Sequence, residues 1–180
     1  MSKSMSINLD TTPMHRLSVS AEQAASAYIK VGVLGDYADR TPGQTGTKRT
    51  NAAGGKEAIN NPSLGAIHEF GSLTRGIPPR SFLRMPLISR LSDEINKESQ
   101  ETWEQYFVNF GFIDLLRAIG EASLAVIKDA FKTGGFGRWA KLRPYTIRRK
   151  GNDRILIDSG QLERSVTYAV VAPGAPKKPI

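Results

Sequence analysis

Between Phe112 and Lys132 the apolar residues fall on one helical face: Leu115, Leu116, Ile119, Ala122, Val126, Ile127 and Ala130 keep helical spacing. A helix with so continuous a stripe has to lie against something, and this constrains the fold more than any other feature. Gly134-Gly135 supplies the stop. Upstream, Ile88, Leu91, Ile95, Trp103, Tyr106, Phe107 and Phe110 follow the same spacing from near Pro86, with Glu98 and Thr102 interrupting the stripe. Gly111 separates the two runs, so two helices are expected to pack as a hairpin or a bent pair.

The flanks read differently. Tyr28 to Leu34 is rich in β-formers and predicts a strand ending at the Gly35-Asp36 turn. From Arg40 to Asn61 there is almost nothing apolar beyond alanine and Ile59, so residues 40–61 are expected to form a mobile loop. Asn61 can cap a short helix, with Pro62 in its first position, Leu64, Ile67 and His68 on one face and Gly71 at its end. Ile77-Pro78-Pro79-Arg80 must be extended, because each proline pushes its predecessor out of the α region. In the last third, residues 134–152 read as a basic loop and Arg154 to Ile157 as a short strand. Asp158 to Ser165 reads as a turn plus helical turns, with capping-box spacing from Asp158 to Gln161, and Val166 to Val171 as a strand. An N-terminal arm, 1–27, and a flexible tail, 172–180, flank a domain over 28–171.

Chemistry is hard to find. Without cysteine, neither disulfides nor thiolate metal sites can form, which suits a reducing cytoplasm. No run approaches the roughly 18 apolar residues of a membrane helix. The first ten residues lack a signal peptide's apolar core, so a soluble, unprocessed chain is expected. His68-Glu69 hints at a metal or acid–base site, but the only other histidine is His15, so a hydrolase lacks ligands. Gly32 to Gly35 and Gly134 to Gly137 lack phosphate-loop spacing, and no serine sits in a nucleophile elbow. Neither catalysis, metal nor cofactor is expected, and glutamine at both 68 and 69 should leave function intact if the fold tolerates it.

The formal charge of +8 favours nucleic acid or an acidic protein surface as partner. Its densest part is Arg138, Lys141, Arg143, Arg148, Arg149, Lys150 and Arg154, opposed only by Asp153. Trp139 and Tyr145 are interleaved, as in single-stranded nucleic-acid binders, although Trp139 is better placed as an anchor on the core. A monomeric nucleic-acid-binding protein using 138–154 is therefore one reading.

Another rests on two motif blocks. Ala66-Ile67-His68-Glu69-Phe70-Gly71-Ser72 followed by Ile77-Pro78-Pro79-Arg80-Ser81-Phe82-Leu83-Arg84 resembles a signature of phage virion-morphogenesis and tail-completion proteins. Trp139-Ala140-Lys141-Leu142 and Thr146, then Leu156-Ile157-Asp158-Ser159-Gly160-Gln161-Leu162 and Ser165, resembles the same family's C-terminal box. The polar loop is longer than that family suggests, and the N-terminal 27 residues match nothing in it. The resemblance implies an α+β subunit, a small antiparallel sheet packed against two long helices. It implies a virion part at the neck or upper tail, assembled in the host bacterial cytoplasm as a ring of six or twelve copies. Its partners would be other neck, connector and tail proteins, and packaged DNA. Phe70, Gly71, Pro78, Pro79, Phe82, Trp139, Asp158, Gly160 and Leu162 would be structural anchors. Lys48, Arg49, Lys56, Arg148, Arg149 and Lys150 would face either the DNA lumen or a neighbouring subunit, where acidic residues such as Glu98 and Glu101 could meet them.

Overall fold

Two strands distant in sequence, β1 (Tyr28–Val33) and β4 (Val166–Val171), pair antiparallel with Val31 opposite Tyr168 and Val33 opposite Val166. The computed structural model describes residues 27–34, 48–50, 56–97, 100–105 and 111–172. Between these strands lie a ribbon of β2 (Lys48–Thr50) and β3 (Lys56–Ala58), then helices α1 (Asn61–Phe70), α2 (Arg84–Ile95) and α3 (Gln100–Gln105). They are followed by α4 (Phe112–Thr133), α5 (Pro144–Lys150) and α6 (Gln161–Arg164). The fold is α+β, with a small antiparallel sheet packed against helices.

The organising element is α4. Its stripe buries Leu116, Val126, Ile127, Ala130 and Phe131, and the helix packs against α2 and both strands of the sheet. Alternation puts Val166, Tyr168 and Val170 on one face of β4, and Gly120 of α4 leaves room there for the Tyr168 ring. Tyr168 Oη also bonds Glu121 Oε1 at 2.9 Å. Phe82, Ile127, Ala130, Phe131, Trp139 and Leu162 form one core, with Val31, Val33 and Leu83 packed on it.

Several expectations are corrected. Within the segment expected to be a loop, 40–61, residues 48–50 and 56–58 pair as the β2–β3 ribbon, whose ladder satisfies backbone groups without needing apolar side chains, and Ile59 is buried at its exit, while 40–47 and 51–55 lie outside the described residues. The cap of α1 is Asn60, accepting from Ser63 N at 2.9 Å, and Asn61 lies buried inside the first turn. The helix expected from Pro86 to Phe110 ends at Ile95. Asn96 closes it, and Trp103 Nε1 folds back to bond Ile95 O at 2.9 Å, so the freed carbonyl keeps a partner. Ile88, expected inside, points outward with 84% of its surface exposed.

The basic loop expected over 134–152 contains α5, bounded by Pro144 in its first turn and by left-handed Gly151, whose N–H reaches Ile147 O at 2.8 Å. Residues 154–157 form a turn rather than a strand, because Asn152 Oδ1 accepts from Arg154 N at 3.1 Å and Leu156 adopts a φ of 59°. Gly160, not Asp158, takes the N-cap position of α6, so the Asp158–Gln161 capping box does not form. The arm 1–26 and the tail from 173 onward lie outside the described residues.

Candidate functional site

Glu69 sits in the last turn of α1, and Gly71, two residues on at a φ of 78°, turns the chain back. A side chain at Gly71 would meet Ile77 O and Pro79 N at 2.9 Å, so glycine is required there. The turn brings the Pro78-Pro79 segment alongside α1, where Arg80 N bonds His68 O at 2.7 Å. The start of α2 is thereby aimed at the Glu69 carboxylate.

That carboxylate is almost fully buried and surrounded by donors. Oε2 accepts from Phe82 N at 2.8 Å and Leu83 N at 3.0 Å. Oε1 accepts from Ser81 Oγ at 2.6 Å, Arg84 Nε at 3.0 Å and Arg84 N at 3.2 Å. A side chain from one helix therefore takes the orphan N–H groups at the N-terminus of the next. Burial pushes the Glu69 carboxyl up, but the bonds from Ser81, Leu83 and Arg84 outweigh it and hold the group below its ordinary value. A carboxylate so occupied is a poor general base, and its chemistry is that of a clasp.

The second motif block docks onto the first. Trp139 Nε1 donates to Ser81 O at 3.0 Å, and Arg80, itself buried, donates from Nε to Ala140 O at 2.9 Å. Burial lowers the Arg80 pKa. Trp139 meets the Phe131 ring edge-on at 5.8 Å, and its seat exists because Gly135, at a φ of 69°, carries no side chain to strike the indole. Leu162 closes the group near Gly65 of α1 and Phe82.

The expected anchors thus divide. Phe82, Trp139 and Leu162 are buried, and Gly71 and Gly160 occupy left-handed or other positive-φ positions. Pro78 is half-buried and Pro79 exposed. Two assignments are corrected. Phe70 is 63% exposed, because its place on α1 faces outward, and it carries the Arg84 guanidinium 4.5 Å above its ring. Asp158 is exposed in the bend before α6 and caps nothing, Gly160 holding the N-cap position. Phe70 borders an open apolar groove of about 280 Å³ with Val33, Pro62, Ala66 and Leu83. A second cleft, about 480 Å³ between α2 and α4, is lined by charges that answer one another, with Arg90–Asp93 at 3.8 Å and Lys97–Glu94 at 2.5 Å.

Among the basic candidates, Arg148 and Arg149 are exposed on α5, and Arg149 lies 5.9 Å over the Tyr145 ring. Lys150 is half-buried and donates from Nζ to Arg154 O. Burial lowers its pKa, as do the nearby Arg154 and Arg80 charges, against opposing Asp158 and Asp153. The backbones of Lys48, Arg49 and Lys56 lie in the β2–β3 ribbon, while their side chains lie outside the described residues, as do those of Glu98 and Glu101.

Sequence reasoning missed the Arg80 contacts and the capping role of Glu69, for which a lone Glu before a Phe-Gly turn is a faint signal. Among the described residues no three His, Asp or Glu side chains gather to hold a metal ion, and no helix is long and apolar enough to cross a membrane. No protein-family model, curated protein or solved structure matches the chain.

Proposed function

We propose that this chain is a structural, non-enzymatic subunit of a tailed-phage particle. It forms a ring of six or twelve copies that completes the tail or neck, joining head connector to tail around the DNA path. The carrying observation is that the two motif blocks meet in one buried assembly. Glu69 clasps 81–84, while Arg80 and Ser81 hold 139–141. The Glu69 carboxylate, which could have served as an acid or base, is taken up in joining α1 to the start of α2 and has little capacity left for substrate.

Rigidity suits a ring, whose subunits must meet at one fixed angle for the circle to close. The contact face assigned to the neighbouring copy is apolar. Phe70 and Ile88 are exposed, and Ile88 stands one helical turn beyond the Arg84 that covers Phe70. Particles produced without this chain should accumulate as filled heads and separate tails, and supplying the chain in trans should restore joined, infectious particles. An Ile88→Glu chain should melt normally yet fail to restore them. Normal joining in the absence of the chain would refute the reading.

A further inference from the structure

Helix α5 is amphipathic in an unusual sense. Thr146, Ile147 and Lys150 turn toward the protein, while Tyr145, Arg148 and Arg149 share the exposed face at helical spacing. Lys141 and Arg143 are exposed just before the helix. The Arg143 guanidinium lies 3.8 Å from where a side chain on Gly76 would begin, so the turn carrying exposed Arg75 adjoins the same region. The ion pairs Arg84–Glu69, Arg90–Asp93, Lys97–Glu94 and Arg117–Asp114 involve no cation of the 138–154 segment.

We propose that this face, with Arg148 and Arg149 at its centre and Lys141 and Arg143 beside it, binds the phosphate backbone of double-stranded DNA without reading its sequence. Several of the acidic groups that a second copy could offer are already engaged. Asp93, Glu94 and Asp114 pair with cations of their own helices, and Glu121 holds Tyr168. An external polyanion has no such competition. Arginine suits phosphate through its planar fork of donors. Arg149 covers one face of Tyr145, so the ring orients a guanidinium rather than offering itself as a platform for an unpaired base. The biological setting of this contact rests on the ring reading, whereas the binding itself is a property of the chain in solution.

The test uses the full chain and a labelled mixed-sequence duplex of about 30 base pairs, titrated between about 50 and about 200 mM salt. Wild type should bind, with an affinity that falls linearly on a log–log plot against salt. Arg148→Glu with Arg149→Glu should weaken binding at low salt. It should also shrink the affinity ratio between the two salt limits by about tenfold, the share of two phosphate contacts. Arg148→Lys with Arg149→Lys should retain most of the binding, because non-specific contact needs charge rather than bidentate geometry. If the double reversal disturbs the melt, Lys141→Glu with Arg143→Glu provides the same comparison. The proposal is overturned if wild type fails to bind at low salt, or if neither reversal alters affinity and salt slope. It is equally overturned if polyglutamate competes as well as unlabelled duplex at equal charge, since the partner would then be an acidic protein. A chain that binds DNA in this way yet never joins heads to tails keeps this inference and refutes the ring reading.

Discussion

Glu69→Ala should destabilise the isolated chain by about 3–5 kcal/mol, because the loss combines a missing helix cap with donors left buried and unpaired. Phe82 N is buried, and Leu83 N and Ser81 Oγ are partly so, leaving water little access to replace the carboxylate. Glu69→Gln should fall between, since one oxygen remains to accept but an amide NH₂ then faces other donors. Glutamine at both 68 and 69 is expected to leave function intact if the fold tolerates it, and at Glu69 that condition is the demanding one, for structural rather than catalytic reasons. The same bonds set the pH response. Because the folded state lowers the Glu69 pKa, its stabilisation is complete above the unfolded carboxyl value and disappears as pH falls through the folded one. Urea unfolding at neutral and acidic pH should therefore show the gap between wild type and Glu69→Gln narrowing in acid. A gap that stays constant, or an alanine variant as stable as wild type, would mean that the clasp is absent in solution.

Phe82→Ala should cost a similar amount, about 3–5 kcal/mol. The ring is wholly buried and lies 5.4 Å from that of Phe131 at a tilted angle. The backbone of α1 closes over it, since a side chain at Gly65 would begin 3.3 Å from Phe82 Cζ. With a helix backbone on one side and the start of α2 on the other, the site cannot readily collapse into the void, which places the cost toward the upper end. Phe82→Leu, which keeps most of the volume, should lose much less. A melting temperature for the alanine variant equal to wild type would show that Phe82 does not seal the core.

These two residues also show where sequence was and was not sufficient. The stripe of α4 was legible because seven apolar residues repeat at one period, and its glycine stop lies one residue from the observed end. Phe82 was legible because two prolines leave the following aromatic little choice but to insert. The end of α2 at Ile95 was not, because apolar residues at helical spacing resume at Trp103 and invite one continuous helix. Asn96 closes α2, and Trp103 Nε1 supplies a partner to the freed Ile95 carbonyl, a contact that hydrophobic periodicity does not encode. Helix α5 was hidden by its charge, since a short basic segment resembles a loop unless Pro144 and Gly151 are weighed as its limits. The role of Glu69 depends on five donors that lie 12 to 15 residues away and converge only after Gly71 has turned the chain.

Reconstruction of particles assembled with this chain tests the position of the ring and its copy number at once. The density should contain six or twelve copies arranged around the DNA path at the head–tail junction or the upper end of the tail. Within each copy, the α4 helix, the β1–β4 sheet and the Glu69 clasp should be recognisable, with Ile88 against a neighbouring subunit. Density for the chain as isolated single copies, its presence only in the capsid shell or tail tip, or its absence from finished particles would contradict the account.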